Sequence, residues 1–259
     1  MLDNSVKEKI RKGEPSVGVI SNLASTQLTE IFGLAGFEFI IFDMEHSTMS
    51  EETLEDLVRA AKLKKLVPLA RVRENNAKLV LGALDAGCLG VMIPQIETKE
   101  QAQQAALSTK YRPHGNRGIN WKVVASEWGD VNPAEYISAA NANILTIIQI
   151  ETAAGVENIE AIVKVQDIDA VVIGPADLSG SMGYPGNPGH KEVQSAVDRV
   201  MKVCHAAGMA LGVGASLDPA HMSEARQRGA LLFFANPAEF IRQNCRALVS
   251  GIKAGLAVE

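Results

Sequence analysis

The chain carries 259 residues, 47% of them hydrophobic and 21% charged, with a net charge of -5. It is long enough to bury a full core without covalent staples, and its acidic balance excludes a general nucleic-acid partner, which needs a basic surface. Cys88, Cys204 and Cys245 lie far apart in neither disulfide nor zinc spacing, the opening MLDNSVKEKIRKGEPS lacks the apolar core of a signal peptide, and no apolar run reaches the roughly 18 residues that span a bilayer; the expected setting is cytoplasmic, with no membrane partner.

Short β-branched runs alternate with longer amphipathic stretches along the chain. The strands are expected at Val17–Ile20, Phe37–Met44, Val67–Val72, Gly90–Gln95, Ile144–Ile150, Ala170–Gly174, Ala210–Gly214 and Leu231–Ala235. They are apolar throughout rather than alternating, as parallel strands covered by helices are. Ser50, followed by Glu51 and Glu52, and Thr98 with Gln101 read as helix starts. Gly36, Gly87, Gly208 and Gly229 read as helix ends, where a left-handed residue is wanted. The irregular stretch Arg112–Asn132 is long enough to suggest a functional loop, and Pro237–Ala257 reads as a final helix. Eight β–α units with no linker between them predict a single (β/α)8 barrel over residues 1–259, followed by that C-terminal helix at 237–257.

Chemistry in such a barrel sits at the C-terminal ends of the strands. The polar residues expected there are Asp43, Glu45, His46, Arg71, Arg73, Gln95, Gln149, Glu151, Asp177 and Ser179. Glu151 ends the apolar run ILTIIQI, and Asp177 follows AVVIGPA one strand later. Two such carboxylates on neighbouring strands repel unless a cation or proton lies between them, and oxygen ligands with open positions suit Mg²⁺ or Mn²⁺. The alternative is that each acid caps the helix that follows. In FDMEHS, His46 suits a general base or proton relay; the alternative is an ion-pair network around Arg71 and Arg73. Arg71 offers a fork to a carboxylate or enolate oxygen, and the backbone from Gly174 through Pro175 and Ala176 to Asp177 offers N–H groups to a carboxylate. Locally, Asp85 reads only as a solvated acid near a helix end. His114, His190, His205 and His221 read as surface or helix-end residues.

Together the strings FDMEHS, ARVR, LDAGCLGVMIPQIET, RPHGNRG, IIQIET and VVIGPADLSGSMGYPGNPGH resemble, in order from about Val17 to about Asn236, the 4-hydroxy-2-oxoheptanedioate aldolase family, which includes 2-dehydro-3-deoxyglucarate and 2-keto-3-deoxy-rhamnonate aldolases. The resemblance implies a class II, metal-dependent and reversible aldol cleavage that yields pyruvate and an aldehyde. It implies Glu151 and Asp177 as ligands of a divalent cation (Mg²⁺ or Mn²⁺, with Co²⁺ an alternative), and Gln149 lining the metal site. Gly174, Pro175, Ala176 and Asp177 would hold the pyruvate carboxylate, Arg71 the enolate oxygen, and His46 would move protons. It also implies that Asp85 hydrogen-bonds this histidine, including across a subunit interface, and that the chain forms a homo-oligomer, trimer or hexamer, exchanging its C-terminal helix. A Schiff-base aldolase would need a desolvated lysine on a strand, and no expected strand interior contains one. Two segments depart from the family pattern, Gly18–Asn22 and Ile119–Lys122; both are expected to border the acceptor pocket, with Lys122 meeting an acidic substrate group. The competing readings are a CoA-ester lyase of the citrate lyase β or malyl-CoA lyase type, for which no basic cluster is visible, and a non-catalytic keto-acid-binding barrel.

Overall fold

The computed structural model describes residues 3–214 and 219–256. Eight parallel strands, β1 (Ser16–Ser21), β2 (Phe39–Asp43), β3 (Val67–Arg71), β4 (Gly90–Ile93), β5 (Leu145–Ile150), β6 (Ala170–Ile173), β7 (Ala210–Gly214) and β8 (Ala230–Ala235), close into a barrel in sequence order. The expected (β/α)8 architecture is therefore the one observed. Helices α1 to α12 surround it; those that matter below are α1 (Ser5–Lys12), α2 (Thr26–Leu34), α3 (Glu51–Leu63), α4 (Ala77–Asp85), α5 (Lys99–Thr109), α6 (Pro133–Asn143), α7 (Ala153–Glu157), α9 (Pro175–Ser181), α10 (Lys191–Ala206) and α12 (Pro237–Leu256). Ser50 caps α3, and Thr98 with Gln101 forms a full capping box on α5. Gly36, Gly87, Gly208 and Gly229 all take positive φ, from 68° to 98°.

Several strand ends fall short of expectation: Met44, Val72, Ile144 and Gly174 each lie one residue outside their strands. Residues 37 and 38 precede β2, and β4 stops at Ile93 because Pro94 has no N–H to give the ladder. Gln95 beyond it takes φ 56°. Ala257 lies outside the described residues.

The period of two along each strand divides the core in two. Phe39, Ile41, Val67, Leu69, Met92, Leu145, Ile147, Val172, Leu232 and Phe234 fill the barrel interior, plugged below by Val6 of α1. Ile40, Phe42, Ala70, Val91, Ile93, Ile148 and Ile150 face the helices. The same parity carries Asp43, Arg71, Gln149 and Glu151 inward as the next steps of β2, β3 and β5, so the apolar filling turns polar at the C-terminal mouth.

The opposite end is sealed by polar side chains tied to strand-entry carbonyls. Asn4 donates to Leu89 O and Asn143 O at 2.8 and 2.9 Å. Lys7 Nζ reaches Ile144 O at 2.7 Å and Asp169 at 2.9 Å, while Lys110 Nζ reaches Asn141 O and Ile144 O, both at 3.0 Å. Burial, then the neighbouring Lys7 charge, pushes the Lys110 amine down to about 8 from 10.5. Between those two values the unfolded chain binds more protons than the folded one, so this group makes stability rise with pH through that window. Lys110→Met should remove that component. The increase in urea midpoint from about pH 7.5 to about pH 9.5 should be smaller in the variant than in the parent, and equal increases would refute the assignment.

Candidate active site

The mouth is organised by adjacency in the sheet. Asp43 and Arg71 are register partners on β2 and β3, and their side chains close a two-armed pair: Arg71 Nε and Nη2 donate to Asp43 Oδ1 and Oδ2 at 2.9 and 2.8 Å. The third arm, Nη1, lies 3.3 Å from Glu45 Oε2. Burial opposes the Asp43 charge, yet the Arg71 hydrogen bonds hold its carboxyl below the usual range. Asp43 Oδ1 also accepts the backbone N–H groups of Glu45 and His46 at 3.1 and 3.2 Å, which fixes the turn out of β2. The ion-pair alternative for this string therefore holds for Arg71. It does not hold for Arg73, which donates to Met49 O at 2.6 Å. The fork of Arg71 is spent on Asp43, and only its Nη1 side is turned toward other groups. Burial raises the Glu45 carboxyl, and Glu45 Oε2 has no hydrogen-bond partner.

Glu151 follows β5 directly and is 2% exposed. Its Oε1 accepts the Gln95 backbone N–H at 2.9 Å, and its Oε2 accepts from Gln149 Nε2. Burial, with contributions from the Glu45 and Asp177 carboxylates, pushes the Glu151 carboxyl up to about 7, against the pull of the Gln95 N–H and of Arg71. The neighbouring strand ends at Ile173, paired with Ile150, and Gly174 then passes so close that a Cβ there would lie 2.6 Å from Glu151 Oε2 and 2.9 Å from Gln149 Nε2. Asp177 stands in the first turn of α9, exposed at the mouth. The capping alternatives fail for both acids: α7 is capped by Thr152, whose side chain accepts from Gly155 N at 3.1 Å, and Gly174 occupies the cap position of α9.

A hard divalent cation fits this donor set. The nearby groups are oxygens, the Asp177 carboxylate adds to the cost of keeping Glu151 ionised, and Gln149 Oε1 and Glu45 Oε2 are buried acceptors without partners. No group of three or more His, Cys, Asp or Glu forms a protein-only cage among the described residues. An ion here would keep coordination positions for water or substrate, the usual habit of Mg²⁺.

Two expected members sit apart. His46 is on the rim with its side chain 61% exposed, 4.0 Å from Glu45 Oε2. Asp85 ends α4 and, within the chain, meets Arg117 Nη2 at 2.9 Å rather than His46. The loop Arg112–Asn132 also departs from expectation in part, since its Ile119–Lys122 was expected to border the acceptor pocket. It leaves α5 at the sealed end and packs outside the barrel, with Gly118 facing Leu81, Val124 near Gly87, and Trp121 edge-on to Tyr136 at 6.1 Å. Ile119–Lys122 thus borders α4 and α6, and Lys122 is exposed there, away from the chain's own mouth. Sequence reasoning missed the backbone role of Gln95, a residue of left-handed φ whose N–H bonds Glu151, and the steric role of Gly174. A Pro-Gln step after a strand and a glycine immediately before Pro-Ala-Asp were the available signals.

Comparison with known proteins identifies the family. The HpcH/HpaI aldolase/citrate lyase family matches residues 17–234. The chain belongs to that family. It is 36% identical over 221 residues to 2-keto-3-deoxy-L-rhamnonate aldolase of Salmonella paratyphi B, covering 85% of this chain and 82% of that one. It superposes with a TM-score of 0.90 and 31% identity on the crystal structure of a family protein from Burkholderia cenocepacia, covering 97% and 100% of the two chains. The citrate synthase SbnG is also similar, with a TM-score of 0.88, 25% identity and coverage of 98% and 99%. Membership makes the chain an enzyme of the lyase type, and no helix among the described residues is long and apolar enough to cross a membrane. Gly174→Ala would force its methyl into the Gln149–Glu151 contact. It should cost about 1–3 kcal/mol in urea denaturation, and a variant as stable as the parent would show that the approach is not close.

Proposed function

We propose that this family member is a class II pyruvate aldolase, which reversibly cleaves a 2-keto-3-deoxy or 4-hydroxy-2-oxo acid into pyruvate and an aldehyde with a divalent cation, Mg²⁺ or Mn²⁺, at Glu151 and Asp177. The carrying observation is the buried Glu151 carboxylate, pushed up to about 7 among further acids and beside unpaired oxygen acceptors. A bound cation supplies Lewis acidity at the keto oxygen of the substrate.

The chain's own residues divide the remaining work. Gln149 and the Gln95 N–H orient Glu151. The backbone from Gly174 through Pro175 and Ala176 to Asp177, at the open start of α9, takes the pyruvate carboxylate; Gly174 N–H is donated to Ile150 O at 3.1 Å and Pro175 has none, so the donors are the Ala176 and Asp177 N–H groups. Arg71, held in place by Asp43, turns Nη1 toward the charge that develops on the enolate oxygen. His46, exposed on the rim, moves the proton to and from the departing aldehyde carbonyl.

Lys110 is the one lysine that burial tunes down strongly enough to resemble a Schiff-base nucleophile. Its amine is bonded beside Ile144, where β5 begins, while Glu151 lies past the other end, roughly 20 Å away by strand rise. That separation favours the metal route. The reading extends to assembly. Only the first turn of α12 packs on the barrel, Phe240 meeting Phe32 and Phe37, while Leu248 and Leu256 stand 65% and 75% exposed. An apolar helix face of this kind needs a cover, supplied by another copy in a trimer or hexamer. In that assembly Asp85 of one copy reaches His46 of the next.

The test is a cleavage screen of 2-keto-3-deoxy and 4-hydroxy-2-oxo acids that follows pyruvate release before and after EDTA. Activity should vanish on chelation and return with Mg²⁺ or Mn²⁺, and Glu151→Gln should lose roughly a hundredfold or more in kcat/KM. Activity that survives thorough chelation but is trapped by borohydride with substrate would overturn the metal reading.

A further inference from the structure

Arg117 is a charge that folding alone does not explain. Its side chain is fully buried. Its guanidinium carbon lies 4.6 Å over the Tyr111 ring, and only Nη2 has an acceptor, Asp85 Oδ1 at 2.9 Å. Nε and Nη1 are buried without hydrogen-bond partners. A sealed guanidinium with most of its donors unmet costs more than its single ion pair returns, and an apolar side chain of similar volume would serve the core as well or better. Asp85 is equally ill-placed for stability. It is the last residue of α4, a helix with no basic residue in its last turn, where the negative end of the dipole disfavours a carboxylate. Its side chain remains 19% exposed, and Oδ2 makes no hydrogen bond with a described residue.

The pair therefore consists of one sealed, stacked cation holding one oxygen of a surface-reaching acid, with the other oxygen left to point outward. We infer that Arg117 is a positioning residue for Asp85: through Oδ1 it fixes the carboxylate so that Oδ2 is presented to the His46 imidazole of a second copy of this chain. This rests on the reading that Asp85 acts on His46 between subunits. It deepens that reading by making the loop outside one barrel a part of the site in another.

Four proteins decide it: Arg117→Met, Arg117→Lys, Asp85→Asn and the double variant Arg117→Met/Asp85→Asn, each assayed for kcat and for the KM of the keto acid. Arg117→Met should lower kcat about 10–100-fold at nearly unchanged KM, the size expected when a group that orients a functional residue is lost. The double variant should fall no further than the worse single variant, because both changes remove the same contact. Arg117→Lys, which keeps the charge over Tyr111, should recover part of the loss and guards against an Arg117→Met chain that folds poorly. Mixing subunits supplies a second readout. Arg117→Met mixed with His46→Ala should regain activity in hybrids, whereas Arg117→Met mixed with Asp85→Asn should not. Losses that multiply in the double variant, or Asp85→Asn impaired while Arg117→Met keeps its full kcat, would overturn the positioning role alone. Full activity in Asp85→Asn would overturn both this role and the intersubunit reading of Asp85.

Discussion

Placing a carboxylate at the end of a filled barrel is the constraint from which the mouth follows. Glu151 is 2% exposed, and a lone buried anion is costly enough that it would rather bind a proton. The chain answers with two hydrogen bonds, from the Gln95 backbone and the Gln149 amide. Each has a structural cost. Gln95 must adopt a left-handed φ of 56°, uncommon for a residue with a side chain. Gly174 must forgo a side chain so that the turn into α9 can pass Glu151 and Gln149. Even so the carboxyl rests near 7. The hydrogen bonds alone do not make a stable anion there, and the remaining deficit is what a cation would fill.

Charge balance across the mouth leads to the same place. Arg71 is the one guanidinium turned into the group formed by Asp43, Glu45, Glu151 and Asp177, and its two-armed bond goes to Asp43. Asp43 is thereby neutralised and held below its usual range, whereas Glu45 and Glu151 are both raised. The pair on β2 and β3 is self-contained and rigid; the acids on the β5 and β6 side are left in want of positive charge. A divalent ion on that side would complete the balance.

How much of this was legible in the chain depends on the range of the interaction. Strand parity is local, so Asp43, Arg71, Gln149 and Glu151 could be assigned to one mouth from runs of five to seven apolar residues. The helix caps at Ser50 and Thr98 were legible for the same reason. Gly174 was visible as part of a turn, but its role against Glu151 depends on the β5–β6 register, which no short window contains. The Asp85–Arg117 pair joins residues separated by all of β4 and α5, and its burial depends on Tyr111. Nothing near LGALDAG signals it. Within the loop, Ile119–Lys122 was expected at the acceptor pocket from the family resemblance. The α5 helix instead delivers it to the sealed end, so the expectation fails on chain direction alone.

The two ends of the barrel now differ in a way that bears on assembly. At the sealed end every strand-entry carbonyl named above has a donor from Asn4, Lys7 or Lys110. At the mouth, His46 is exposed, Glu45 Oε2 and Gln149 Oε1 lack donors, and α12 carries an uncovered apolar face. The buried acceptors left open at the mouth, Glu45 Oε2 and Gln149 Oε1, lie where a cation and substrate would enter. The outward-packed loop and the exposed rim histidine then cease to be separate oddities. On the proposed assembly each would be half of a contact whose other half lies on a second copy, and a closed symmetric arrangement is the simplest in which both halves would be met at once.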